Sequence, residues 1–138
     1  MRTLTEIIIH CTATEQGRDI TATEIDRWHR NRGWRGCGYH YIIRINGTIE
    51  VGRPIEEVGA HCRGRNQHSV GIAYVGGLID GKPANTLTFK QWKSINTLCI
   101  MLLKSYPTIV AIHGHNYYNP SKQCPCIDVV KYFGHLHR

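Results

Sequence analysis

The sequence predicts an α/β protein, a mixed central β-sheet flanked by helices and folded as a single domain over residues 1–138. Three observations predict it. The β-branched run Thr5–His10 has the composition of a strand buried on both faces, and Ser69–Val75 and Thr108–His113 read as further short apolar strands. Trp92, Ile95, Leu98, Cys99, Leu102 and Leu103 recur at helical spacing between the last two of these runs. A hairpin pattern lies upstream, so the strands cannot all run in one direction. At 138 residues the chain can bury a core of its own without disulfide staples and is short for two domains.

The elements follow in order. Thr5–His10 is the first strand, with His10 at its C-terminal end. Thr21 or Thr23 can cap a helix through Glu24–His29, which stops in the polar, glycine-bearing stretch Asn31–Gly33. Tyr39–Ile45 and Thr48–Val51 form the hairpin, and Asn46-Gly47 between them readily supplies the positive φ angles of a tight turn. Ser69–Val75 is a further strand, followed by a glycine-rich loop from Gly76 to Lys82. Thr88 opens the long helix, Pro107 follows its end, and Ile127–Phe133 makes a last short helix.

The net charge of +7 and a pI near 9.3 favour an anionic partner, whether nucleic acid, an acidic wall polymer or a membrane surface. The basic residues form only a loose cluster from Arg27 to Arg35 and another at Arg63 and Arg65, so nucleic acid is not expected. No stretch is long and apolar enough to span a bilayer. Met1–Glu6 runs directly into a strand rather than into a signal-peptide core, so synthesis in the cytoplasm without self-export is expected. The six cysteines do not have the spacings of a small secreted framework; most are expected reduced, with Cys99 a packed small hydrophobe.

The chemistry concentrates in His115–Cys126. Eight residues separate His115 from Cys124, and with His10 they make a possible three-ligand metal site. Neutral imidazole and thiolate are both good zinc ligands, and three protein ligands rather than four mark a catalytic zinc with one position left for water. His10 and His115 fall at or just past strand ends, where α/β sheets place their sites. His113 competes with His115, since period-two alternation would put both on one face, and Cys126 competes with Cys124. A catalytic zinc lowers the pKa of its water to about 7, after which hydrolysis needs a group to handle the proton and a cation or donor for the oxyanion. Lys122 is placed to be that cation, and Tyr39 or Tyr41 offers a phenol. The plainer alternative makes each histidine a packed residue with one partner and Lys122 a solvated loop lysine.

Several blocks occur together: Ile9–Thr14, Trp28–Trp34, Gly38–Ile43, Asn46–Arg53, Gly59–His61, Asn66–Ile72 and Lys122–Cys126. In this order the sequence resembles the type-2 N-acetylmuramoyl-L-alanine amidases, which include small phage lysozymes with amidase activity and animal peptidoglycan-recognition proteins. The resemblance implies an amidase-like fold and one Zn2+ per chain, held by His10, His115 and Cys124. His115 takes the ligand slot because the family places that histidine directly after a small residue, here Gly114. Tyr39 and Lys122 match the catalytic tyrosine and lysine, and His29, Trp34, His61 and Asn66 would line the substrate groove.

The implied reaction is hydrolysis of the amide between N-acetylmuramic acid and L-alanine in peptidoglycan, by a monomer acting on the cell wall after passing a permeabilised membrane. The alternative is a non-catalytic peptidoglycan-binding module. Recognition-only members typically lose the cysteine ligand, and Cys124 is present. One departure is Asn116-Tyr117-Tyr118, where many relatives carry an acidic residue soon after the histidine.

Overall fold

The computed structural model describes residues 1–138. In chain order the elements are β1 (Glu6–Cys11), β2 (Thr14–Glu15), α1 (Ala22–Asn31), β3 (Tyr41–Ile43), β4 (Ile49–Val51), β5 (Ser69–Tyr74), β6 (Gly77–Ile79), β7 (Lys82–Pro83), α2 (Phe89–Ser105), β8 (Ala111–Gly114), α3 (His115–Tyr118) and α4 (Val129–Phe133). Five of the strands form the central sheet in the spatial order β4-β3-β5-β1-β8. β1 runs parallel to β5 and β8, β5 parallel to β3, and β4 antiparallel to β3, so the hairpin is what makes the sheet mixed.

All six residues of β1 are buried, the apolar Ile7–Ile9 run together with the polar Glu6 and His10. Ile7, Ile9 and Cys11 join Ile95, Leu98 and Leu102 of α2 in the larger core cluster. Each such aliphatic side chain contributes about 1.5–3 kcal/mol by leaving water. α1 is amphipathic and lays Ile25 against Ile42 and Val75 in a smaller cluster. Because side chains alternate along a strand, the residue between Ile9 and Cys11 points away from the α2 core. That residue is His10.

Caps hold the helices in place. Thr21 Oγ1 accepts from the Glu24 N–H at 3.2 Å to start α1. At α2, Thr88 Oγ1 accepts from the Gln91 N–H (3.0 Å) while Gln91 Oε1 accepts from the Thr88 N–H (2.9 Å), a reciprocal capping box. The fully buried Gln91 amide also donates to the Val75 carbonyl at 3.0 Å, tying the helix start to the end of β5.

Two expectations about turns are corrected. At Asn46-Gly47 only Gly47 has positive φ (90°); Asn46 instead uses its side chain to accept from the Thr48 N–H at 2.9 Å. The Arg44 N–H meets the Thr48 carbonyl (2.9 Å) around a three-residue loop, where a glycine at the last position suffices. The two-residue turn lies elsewhere. Asp80 (φ 51°) and Gly81 (φ 74°) join β6 to β7 within the stretch expected to be loop, and β6 pairs in turn with β2 to make a second, three-stranded sheet.

Candidate metal centre

His10 reaches the site because β1 ends there, and His115 because β8 ends one residue before it. β8 stops at Gly114, which caps α3, so His115 is the first helical residue rather than a continuation of the strand. This separates the two candidate histidines. His113 stays in β8 and stacks on Tyr117, ring centroids 3.8 Å apart. His115 packs its ring 4.7 Å from that of His10. Cys124 is held by its backbone, its carbonyl accepting from the Asn116 N–H at 2.9 Å. Cys126 lies aside, its sulfur 3.9 Å from that of Cys11.

The ligand atoms of His10, His115 and Cys124 all lie within 4.8 Å of one another, and no fourth His, Cys, Asp or Glu joins them. His10 Nδ1 is 3.7 Å from Cys124 Sγ. Tetrahedral zinc with ordinary Zn–N and Zn–S bonds separates those two atoms by about 3.6 Å. The donor chemistry fits as well. The Cys11 side chain lowers the Cys124 thiol pKa, and the nearby Lys122 charge acts in the same direction against burial and Cys126. The Cys11 backbone N–H points at that sulfur from 3.3 Å. Burial keeps His10 and His115 neutral, helped at His10 by the His61 and His115 rings and at His115 by Lys122. A thiolate and two neutral imidazoles are the protonation states that a zinc ion takes.

A hydrogen-bond chain runs behind His10. Its Nε2 is 2.8 Å from His61 Nδ1, His61 Nε2 is 3.2 Å from Ser69 Oγ, and that hydroxyl donates to the Arg65 carbonyl at 2.7 Å. Gly71 makes the room, since a Cβ there would stand 2.6 Å from the His61 ring. The Arg65 guanidinium in turn pairs with buried Glu6 and lies 4.4 Å from the ring centroid of Tyr118 on α3.

Tyr39 is half-buried with its ring 5.2 Å from that of His10. Burial, then the thiols of Cys124, Cys11 and Cys37, push its phenol pKa up, so it stays protonated. Tyr41 instead packs on the edge of the α2 core. Lys122 is exposed, and its charge is felt at both His115 and Cys124.

The four residues expected to line a substrate groove separate. Trp34 keeps 38% of its surface exposed and packs on His29, rings 4.6 Å apart. His29 is buried and accepts the Gly38 N–H on Nδ1 at 2.8 Å, next to Tyr39. His61 is buried behind His10 rather than open to solvent, because its two ring nitrogens complete the chain just described. Asn66 folds its own loop: Oδ1 accepts from the His61 and Cys62 N–H groups at 3.0 and 2.9 Å. Ser69 and the Cys11 N–H were not foreseen as parts of the site. Ser69 sits in the quoted Asn66–Ile72 block, but a backbone donor leaves no trace in side-chain patterns.

A mixed α/β sheet with two histidines and a cysteine gathered at strand ends, beside a tyrosine and a lysine, defines a candidate metallohydrolase. The sequence profile of the N-acetylmuramoyl-L-alanine amidases matches residues 1–127, and the chain belongs to that family. It is 38% identical to the endolysin of Escherichia phage T7 over 128 residues, 92% of this chain and 83% of that one. The endolysin of Klebsiella phage KP32 is 36% identical over 129 residues, 93% of this chain and 84% of its own. Among solved structures, the N-acetylmuramoyl-L-alanine amidase LysC from Clostridium intestinale superposes with a TM-score of 0.83 at 31% identity. That match covers 98% of this chain and 86% of LysC.

Proposed function

We propose that the protein hydrolyses the amide joining the lactyl group of N-acetylmuramic acid to the L-alanine of the stem peptide in peptidoglycan, as a phage-type endolysin does. The observation that carries the reading is the convergence of His10, His115 and Cys124 within 4.8 Å, with room for one zinc ion and no fourth protein ligand. When bound, zinc would supply a water of lowered pKa and a Lewis acid for the carbonyl.

The chain's own groups do the rest. His10 Nδ1, a nitrogen of His115 and the Cys124 sulfur would hold the ion. Tyr39, a neutral O–H beside His10, orients the attacking water, and its oxygen can pass the water's proton on. Water oxygen adds to the carbonyl carbon, the C–N bond breaks, and the alanine nitrogen leaves carrying the proton. Lys122 faces the negative charge that develops on the carbonyl oxygen, a role its field at His115 and Cys124 already supports. Trp34, the exposed aromatic next to His29, packs on sugar or peptide.

The test is digestion of purified peptidoglycan by zinc-loaded protein. Stem peptides with a new L-alanine N-terminus are expected; intact peptides would defeat the reading for that wall. A non-catalytic peptidoglycan-binding module would bind wall equally well without zinc, and the presence of Cys124 beside His10 and His115, its thiol pKa lowered by the Cys11 side chain, argues against it.

A further inference from the structure

The positive charge of the chain is segregated in a way that its arginines conceal. Residues 1–80 carry ten arginines and nine acidic groups and are close to neutral. From Gly81 to Arg138 there are six lysines and one arginine against a single acidic residue, Asp128. Nearly all of the excess therefore belongs to the half containing α2 and α4. Such asymmetry marks the side that meets a polyanion or a charged surface.

The outer face of α2 shows what else that side offers. Gln91, Ile95, Leu98, Cys99, Leu102 and Leu103 face the core. On the opposite side, Phe89, Lys93, Ile100 and Lys104 follow one another at helical spacing, flanked by Lys90 and Met101. Phe89 is 73% exposed, Met101 59% and Ile100 40%, and the three lysines are exposed too. The helix contains no Asp or Glu. Trp92 stacks beside Phe89, and Tyr132 of α4 shares a shallow cleft with both.

A solvated helix face needs no row of large apolar side chains. Nothing in the fold covers these, and their rim is cationic throughout. A polysaccharide or a nucleic acid would use the lysines but has no place for Phe89, Ile100 and Met101. A lipid surface uses both, with lysines at the headgroups, aromatic rings at the interface and aliphatic tips in the acyl boundary. We propose that the outer face of α2, with Tyr132 of α4 beside it, docks on an anionic phospholipid surface. None of these residues takes part in the candidate metal centre, so the proposal stands independently of the amidase reading.

Vesicle co-sedimentation tests it, using the full chain with vesicles of mixed phosphatidylglycerol and phosphatidylcholine or of phosphatidylcholine alone. The protein is expected to bind the anionic vesicles, to ignore the neutral ones and to release as salt rises from about 0.1 M to about 1 M. With about a fivefold loss per lysine removed near the surface, Lys90→Gln, Lys93→Gln and Lys104→Gln together should weaken binding on the order of a hundredfold. Phe89→Ser with Met101→Ser keeps every charge and should weaken it at least tenfold. Thermal melts confirm that both variants fold; if the serine pair melts early, Ile100→Ser replaces it. Release of stem peptides should be unchanged in all of them. The proposal is overturned if wild-type protein does not bind anionic vesicles, if neutral vesicles bind as well, or if the serine variants bind like wild type. Retention on duplex DNA or soluble wall polymer as strong as on vesicles, and equally indifferent to the serines, would also overturn it.

Discussion

His10 Nε2 lies 2.8 Å from His61 Nδ1, and this bond decides which nitrogen of His10 is free for a metal. The direction is set at the far end of the chain. The Arg65 carbonyl can only accept, so the Ser69 hydroxyl spends its proton there and must accept from His61 Nε2–H. Neutral His61 then has a bare Nδ1, which accepts from His10 Nε2–H. His10 is left with its lone pair on Nδ1, the atom facing Cys124 Sγ.

If this chain orients the ligand, breaking it should loosen zinc without removing a ligand. His61→Ala is expected to lower zinc affinity about 10- to 100-fold, the usual effect of losing a partner behind a metal-bound histidine. His61→Asn puts an amide oxygen near the place of Nδ1 and should recover part of the loss. Chelator competition measures both variants, with a melt as the fold check. Equal zinc affinity in His61→Ala and wild type would show that His10 needs no such partner.

Tyr39 and Lys122 are assigned to chemistry rather than to metal binding. Tyr39→Phe should lower kcat by about 10²- to 10⁴-fold, the range for a lost proton-handling group. Lys122→Met should lower it by about 10²- to 10³-fold, the range for a lost oxyanion partner. Bound zinc should remain stoichiometric in both. A variant that lost zinc along with activity would place that residue among the ligand supports instead.

His40 gives the metal-free fold a pH dependence. It is fully buried, accepts the Gly71 N–H on Nδ1 at 3.0 Å and donates from Nε2 to the Glu57 carbonyl at 2.8 Å. Burial holds its pKa down to about 4, from 6.5, with the Glu57 carbonyl opposing and Arg2 and Arg53 assisting. The unfolded chain takes up a proton near pH 6.5 that the folded chain refuses until about pH 4. The stabilisation is therefore complete above pH 6.5 and is lost as pH falls towards 4, by on the order of 2–3 kcal/mol. Urea midpoints of the apoprotein should fall across that window, and less steeply in His40→Gln. Parallel curves for the two proteins would remove His40 from the account.

Much of this was legible in the sequence where one residue type answers to one physical demand. The Ile7–Ile9 run had to be a buried strand, and Thr88 with Gln91 had to start a helix. Dipeptides were less decisive. Asn46-Gly47 and Asp80-Gly81 carry the same turn signal, but only the second adopts the two-residue form, because loop length is set by strand register and not by the pair itself. Spacing alone could not tell His113 from His115; the resemblance chose His115, and the end of β8 at Gly114 is the physical feature that parts the two side chains. His61 was expected to meet substrate only because the resemblance places the Gly59–His61 block along the groove. Its burial depends on the space left by Gly71, ten residues away on another element.

The central claim is that His10, His115 and Cys124 hold the zinc on which cleavage depends. Bound zinc and released N-terminal L-alanine, measured on the same preparations of wild type and Cys124→Ser, test it most directly. The account predicts one zinc per chain with release in the wild type, and loss of both in a folded Cys124→Ser protein. Full release of stem peptides by protein stripped of zinc would contradict it.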